Sequence, residues 1–381
     1  MSGRDPLATV RAYHEQTKHH FNRFARSLGY LDWATQPAPF RSFGGCRRID
    51  LVAPLRAAAT LVPQGAVSWQ DISYDGLFDA AHSRPALPPG LPAVSVFLRY
   101  SLGLSAWKQA GLSRWALRVN PSSGNLHPTE GYVIAGPGVA GRQPGVYHYA
   151  PEAHALDERC VFDEAAWDAA MRDLPQGSFL AALTSIHWRE AWKYGERAFR
   201  YCQHDIGHAV AAMRMATALM GWDCAVVPGW TPAALAALVG ADREADFEGA
   251  EAEEPACLLA VAPALPDADR AGGLRRSMVG TSLAGAAQRG TWTGRAGRLS
   301  ADRVQWDVID AVAEASRERE TAEAVPVAAR RSSPVPSRAA VMPAAALLLQ
   351  RRSAQSMDGS TATDAGRFAS ILRRLMPDAG P

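Results

Sequence analysis

The stretch from Arg114 to Tyr132 constrains this chain more than any other, because a dense run of turn formers stands directly before an apolar segment. Its middle reads Pro121-Ser122-Ser123-Gly124-Asn125. Proline fixes φ, glycine admits φ > 0, and serine and asparagine side chains bond to their own backbone. Two hydroxyls, an amide and several backbone N–H groups are thus gathered on one short, stiff loop. Such a loop suits a planar heterocycle with donors and acceptors along its edge. The same five residues also suit an ordinary turn before the strand Tyr132-Val133-Ile134-Ala135, and so short a motif does not choose between the two.

The chain has 381 residues, enough for more than one domain and a sizeable core. Its 40 Lys+Arg against 38 Asp+Glu leave a net charge of +2, without the basic excess of a nucleic-acid binder. Met1 to Leu7 carries charges of both signs and no apolar run, unlike a signal peptide. The longest uncharged window, Cys224 to Ala241, is interrupted by Pro228, Gly229, Trp230 and Pro232, so no membrane span is expected. Cys46, Cys160, Cys202, Cys224 and Cys257 are odd in number and lack metal or redox spacing. They read as reduced thiols of a cytoplasmic protein.

Along the chain, apolar residues at helical spacing predict an amphipathic helix over Val10 to Tyr30, with Tyr13, Thr17, Phe21, Phe24 and Leu28 on one face. An irregular arm follows from Thr35 to Val67. Further helices are expected over Tyr74 to Ala81, Val94 to Gln109, Val161 to Leu174, Arg197 to Met220, Thr231 to Leu238 and Val304 to Ala315. Strands are expected at Val146 to Tyr149, Cys224 to Val227 and Cys257 to Val261. Arg317 to Ser337 is charged, then rich in proline and serine, as a linker is. Beyond it stand two short helical pieces, Ala344 to Leu349 and Phe368 to Leu375, too small to bury a core alone. The expected divisions are 1–70, a helix and irregular arm; 71–265, the main domain; 266–340, a linker region with one helix; and 341–381, the start of a second, truncated domain of the same kind.

The longer run Asn-Pro-Ser-Ser-Gly-Asn-Leu-His-Pro-Thr-Glu, Asn120 to Glu130, closely resembles the flavin-contacting loop of the nitroreductase superfamily. Within it the run is most similar to SagB-type dehydrogenases, the branch related to azoline oxidases. The Tyr-His-Glu-Gln-Thr-Lys-His-His-Phe run from Tyr13, with Gly29-Tyr30-Leu31-Asp32-Trp33 after it, resembles the leader of tandem proteins of that branch. The resemblance implies an α+β fold with a central, mostly antiparallel sheet flanked by helices. It also implies a homodimer or intramolecular pseudo-dimer with FMN between the halves, and NAD(P)H as a candidate electron donor.

That resemblance assigns FMN contacts to Pro121, Ser122, Ser123 and Asn125. Two guanidiniums and a hydroxyl at Arg351-Arg352-Ser353 suit a phosphate, and resemble the segment that opens a nitroreductase domain and holds the FMN phosphate. The matching opening of the first domain, Ala81-His82-Ser83-Arg84, has Ala81 where Arg351 stands in the second. One good site would therefore join the Pro121 loop to Arg351–Ser353. Pro228 and Gly229 resemble a flavin-facing turn of the other, degenerate site, and equally suit the end of a strand. Lys193-Tyr194 can supply a general base if burial lowers the lysine pKa, and in the azoline oxidase branch such a pair is the implied base. The substrate would be a small molecule or borne on a peptide, with azoline-to-azole oxidation one such reaction. Two other classes stay open: a flavin-free scaffold or partner subunit of a peptide-modifying complex, and a zinc hydrolase using His204 and His208 at i and i+4.

Overall fold

The computed structural model describes residues 5–61, 67–78, 86–263, 265, 279–317, 342–354 and 356–375. The linker expected beyond Arg317 and the Ala81–Arg84 segment lie outside them. At the centre is an eight-stranded sheet. Its order is β11 (Thr291–Trp292), β7 (Ala155–Val161), β6 (Gly145–Ala150), β5 (Thr129–Ala135), β8 (Phe179–Ser185), β10 (Glu254–Ala262) and β9 (Asp223–Val226), with β2 (Arg47–Asp50) also pairing with β7. Each of these pairings is antiparallel. A hairpin of β3 (Leu104–Ala110) and β4 (Ser113–Arg118) stands apart, as does a short ladder of β1 (Phe43–Gly44) with β12 (Arg295–Ala296).

The helices are α1 (Pro6–Thr17), α2 (Val52–Ala58), α3 (Leu91–Ser101), α4 (Glu164–Met171), α5 (His187–Tyr194), α6 (Ala198–Leu219), α7 (Pro232–Val239), α8 (Ser282–Arg289), α9 (Asp307–Ser316), α10 (Ala344–Gln350) and α11 (Ala365–Arg374). They cover both faces of the sheet, which explains why its inner strands are apolar throughout. In β5, Val133 and Ala135 face a core built with α3 and α6, while Tyr132 and Ile134 face a second core built with α4, α7 and α8. The same alternation sends Leu259 and Val261 of β10 to the first core and Leu258, Ala260 and Ala262 to the second. Phe179 sits 5.3 Å from Phe97 and 5.9 Å from Trp222, ring to ring. Each such ring contributes about 1.5–3 kcal/mol through burial.

Two expectations need correction, and one central strand was not expected. The first helix stops at Thr17, and Phe21 and Phe24 are 100% and 88% exposed. The reason is tertiary: Gln16 and Arg26 both reach the buried carboxylate of Glu196, at 2.9 Å and 2.6 Å. Ten residues of straight helix would hold them about 15 Å apart. The helix expected over Val94 to Gln109 ends at Ser101; the Gly103 N–H bonds the Leu98 carbonyl and β3 begins at Leu104. The central strand β8 is a further element, in a Phe-Leu-Ala-Ala-Leu-Thr-Ser run that shows no alternation because both faces are buried. No described helix is long and apolar enough to cross a membrane.

The C-terminal residues join the first core. Ala344 and Ala345 are buried in it, and the Ala344 N–H bonds the Ile72 carbonyl at 2.7 Å. With α10 seated there, Arg351 follows immediately at its end.

Candidate functional site

The loop before β5 is held by a carboxylate. Asp205, buried on α6, accepts the Ser122 hydroxyl at 2.9 Å, the Ser123 hydroxyl at 3.0 Å and the Ser123 N–H at 3.0 Å. Ser122 Oγ in turn accepts the His127 N–H at 2.8 Å, and the Asn125 amide donates to the Ala116 carbonyl at 2.9 Å. Gly124 and Asn125 take φ of 59° and 62°, the left-handed region that a turn of this tightness needs. Both expected hydroxyls are thus fixed, and the Asn125 amide oxygen has no donor among the described residues. The sequence signal for Asp205 is a carboxylate on the apolar stripe of a helix, between Cys202 and Ala209.

Lys193 and Tyr194, at the end of α5, lie against this loop. A Cβ placed on Gly124 would stand 2.7 Å from the Tyr194 hydroxyl and 3.2 Å from Lys193 Cδ. Tyr194 packs against Tyr201 of α6 with ring centres 4.3 Å apart and planes tilted by 42°, and the Lys193 ammonium stands 5.5 Å from the Tyr194 ring centre. Burial, then the neighbouring Glu190, Tyr201 and Asp205, push the Tyr194 phenol up to about 12, so it carries its proton at neutral pH. Glu190, one turn earlier on α5, is fully buried, and neither carboxyl oxygen has a hydrogen-bond partner among the described residues. Burial and the Asp205 charge push it well above the usual carboxylate range, against the pull of Lys193, which favours the neutral acid.

A buried ionic network fixes α5 relative to the loop. Glu130, which opens β5, pairs with Arg189 of α5 and accepts from His148 Nε2 at 2.9 Å. Arg189 also donates to the carbonyls of His127 at 2.7 Å and Ala38 at 3.0 Å. Burial alone would raise the Glu130 carboxyl, but Arg189, then His148 and Arg118, outweigh it and hold it far below the usual range. On the outer side, Arg26 pairs with Glu196 at 2.5 Å and the Trp192 indole donates to the Asp32 carbonyl at 3.0 Å. The N-terminal arm therefore straps the junction of α5 and α6.

Of the remaining expected residues, Arg351 comes to the loop: it donates to the Val119 carbonyl at 3.2 Å, two residues before Pro121. Arg352 and Ser353 are exposed, and Arg352 caps the end of α10 by donating to Leu349 at 2.8 Å and Arg351 at 2.7 Å. Pro228 and Gly229 form a half-buried turn between β9 and α7, with no hydrogen bond to the loop among the described residues. His204 and His208 are exposed, and the aspartate between them is taken up by the loop. Among the described residues no group of three or more His, Cys, Asp or Glu is placed to hold a metal ion.

Residues 112–261 match the sequence model of the Nitroreductase family. The trifolitoxin-processing protein TfxB of Rhizobium leguminosarum bv. trifolii is 35% identical over 111 residues, covering 27% of this chain and 30% of that protein. A protein of Methanocaldococcus jannaschii that bears a nitroreductase name is 33% identical over 105 residues, covering 26% of this chain and 52% of that protein. The chain thus spans about 30% and 52% of the length of these two relatives. A crystal structure described as a nitroreductase, from Anabaena variabilis, superposes with a TM-score of 0.50 at 24% identity, over 67% of this chain and 46% of that one. Its likeness concerns the fold. The antiparallel sheet between two helical layers is therefore a nitroreductase-like fold, and residues 112–261 are the part of the chain that matches the Nitroreductase family.

Proposed function

We propose that this chain is an FMN-dependent oxidoreductase acting on a small-molecule or peptide-borne substrate. The observation that carries this reading is the convergence at Gly124: the Pro121–Asn125 loop, Lys193 and Tyr194, distant in sequence, meet there within contact distance. The residues fit a flavin mononucleotide. The Asn125 amide oxygen has no donor among the described residues, Ser122 and Ser123 are held in place by Asp205, and Arg351 brings a guanidinium to the loop's entry. A guanidinium suits a phosphate through its paired donors.

Bound FMN would supply a hydride donor or acceptor. The protein's own part is positioning and proton handling. Asp205 and the left-handed turn present the loop, and the Glu130–Arg189 pair sets α5 against it. Tyr194, protonated at neutral pH, can donate a proton or a hydrogen bond, while Lys193 places a cation beside it. In the finer reading the pair serves a SagB-type azoline dehydrogenation, for which Lys193 would have to stand as the neutral amine to receive the proton while Tyr194 orients it. The name of the toxin-processing relative supports a peptide-borne substrate.

The test is the visible spectrum of the purified protein, with any released cofactor identified after denaturation. A flavin envelope that yields FMN supports the reading, and Arg351→Ala should then weaken FMN retention about tenfold, as loss of one charge-assisted contact does. Arg352→Ala, which removes a helix cap, should leave retention unchanged. A colourless protein that takes up no added FMN would overturn the reading in favour of a flavin-free partner subunit.

A further inference from the structure

The N-terminal arm presents apolar rings and cations to solvent together. Phe21 and Phe24 are 100% and 88% exposed, and Tyr30 and Trp33 are exposed as well. Single exposed apolar side chains are ordinary, but rings gathered on one short stretch mark an interaction surface. From Gln16 to Leu31 the chain carries Lys18, Arg23 and Arg26 and no Asp or Glu.

Arg197, just before α6, and Arg200, in its first turn, meet this stretch through histidines. The two Arg197 amino groups approach the two ring nitrogens of His19, at 3.3 Å and 3.0 Å. A neutral imidazole has one acceptor nitrogen and a guanidinium only donates, so one of those amino groups has no acceptor there. Arg200 reaches His14 Nδ1 at 3.3 Å and the Thr17 hydroxyl at 3.1 Å. The histidine contacts lie at the surface. Lys18 and Arg26 are already paired, with Glu15 and Glu196 at 2.5 Å each, and Arg23 donates to the Glu15 carbonyl. Arg23, Arg197 and Arg200 thus have no carboxylate partner among the described residues.

A carboxylate offers a guanidinium two oxygens, in a charge-assisted pairing about twice as strong as a neutral one, and so displaces an imidazole. Aromatic rings and arginines are also the side chains in which protein interfaces are enriched. An anionic lipid surface would meet the charge but not the backbone. The arm is irregular from Lys18 to Asp32, and its N–H and C=O groups would lose their partners in hydrocarbon.

We propose that the arm from Lys18 to Trp33, with Arg197 and Arg200, docks an acidic segment of another polypeptide that carries apolar side chains between its carboxylates. Arg197 lies 5.4 Å over the Tyr201 ring, which packs on Tyr194, so the docked segment passes beside the candidate site. Docking needs neither flavin nor turnover, so its failure and that of the flavin reading are separate results.

The experiment is a titration of a short fluorescein-labelled peptide of alternating glutamate and leucine with the full chain, followed by fluorescence anisotropy. Binding should saturate and weaken with added salt. A glutamine–leucine peptide, which lacks the charge, and a glutamate–serine peptide, which lacks the apolar groups, should each bind about tenfold more weakly. Phe21→Ser combined with Phe24→Ser removes only exposed rings and should raise the midpoint about tenfold. Arg197→Gln should raise it about two- to fivefold, the range of an exposed ion pair. Phe368→Ser, on the exposed side of α11, should leave it unchanged. The proposal is overturned if the glutamate–leucine peptide does not bind, if the phenylalanine pair leaves the midpoint in place, or if Phe368→Ser weakens binding as much. Tighter binding to phosphatidylglycerol vesicles or to single-stranded oligothymidylate than to the peptide would also overturn it. So would self-association that is lost with the two phenylalanines, which would assign the face to a second copy of this chain.

Discussion

Replacing Gly124 by alanine separates the backbone cost of the loop from the role of the residues packed on it. At φ of 59° an alanine meets the left-handed penalty, about 1–2 kcal/mol. Its methyl group would also stand 2.7 Å from the Tyr194 hydroxyl, where ordinary contact begins at 3.4 Å, so the hydroxyl must retreat by 3.4 − 2.7 = 0.7 Å. Lys193 Cδ, at 3.2 Å, must yield a further few tenths of an ångström. A displacement near 1 Å at a reacting group lowers turnover by up to about 100-fold. Gly111, in the tip of the β3–β4 hairpin, is a matched control: its φ is 58° and nothing lies within 4 Å of an added Cβ. Urea denaturation followed by circular dichroism should show similar stability losses for Gly124→Ala and Gly111→Ala. Turnover by the FMN-loaded protein should fall about 10- to 100-fold for the first and stay near wild type for the second. Full turnover in Gly124→Ala, with the stability loss present, would refute the idea that Lys193 and Tyr194 act where they meet the loop.

Asp205→Asn keeps the shape of the clamp but removes the charge that three donors share, and should cost about 2–4 kcal/mol in urea unfolding, with loss of FMN retention. His154 accepts or donates at both ring nitrogens, to Tyr149 and Ser95 at 2.9 Å each, and burial, aided by Arg99, holds its pKa down to about 4. Because that value is depressed below the unfolded one near 6.5, the unfolded chain binds more protons between them. Stability should fall as pH drops from about 6.5 towards 4, by at most about 3 kcal/mol, and the slope of the unfolding free energy should flatten in His154→Asn. Glu196→Gln removes the charge that Arg26 pairs with, so limited proteolysis within residues 18–32 should quicken; an unchanged rate would show that other contacts hold the arm.

Elements with a single dominant periodicity were legible from residues alone. The stripe Phe199, Ile206, Val210, Met213 predicts α6 to within a residue or so, and the apolar runs at Cys224 and Cys257 predict β9 and β10. Strand β8 was not legible, because a strand buried on both faces loses the alternation that marks it. Nor was the end of α1, which is set by Glu196, far along the chain. Within the candidate site, the turn chemistry of Pro121–Asn125 shows in sequence, and the structure gives it the left-handed turn expected of Gly124. That Asp205 clamps the loop does not show, since Asp205 stands between two histidines whose spacing suggests a metal. The meeting of Tyr194 with Gly124 is visible only in three dimensions.

The buried pair of Glu130 and Arg189 also bears on how such a sequence can drift. Losing either partner alone strands a charge away from water, a change of about 3–5 kcal/mol in the wrong direction. Yet exchanging both for apolar residues of similar volume need not destabilise the fold. Viable intermediates between the two states are therefore scarce. Chains descended from a common ancestor with this one should keep Glu130 and Arg189 together or lack both, and His148, which also contacts Glu130, should change along with them.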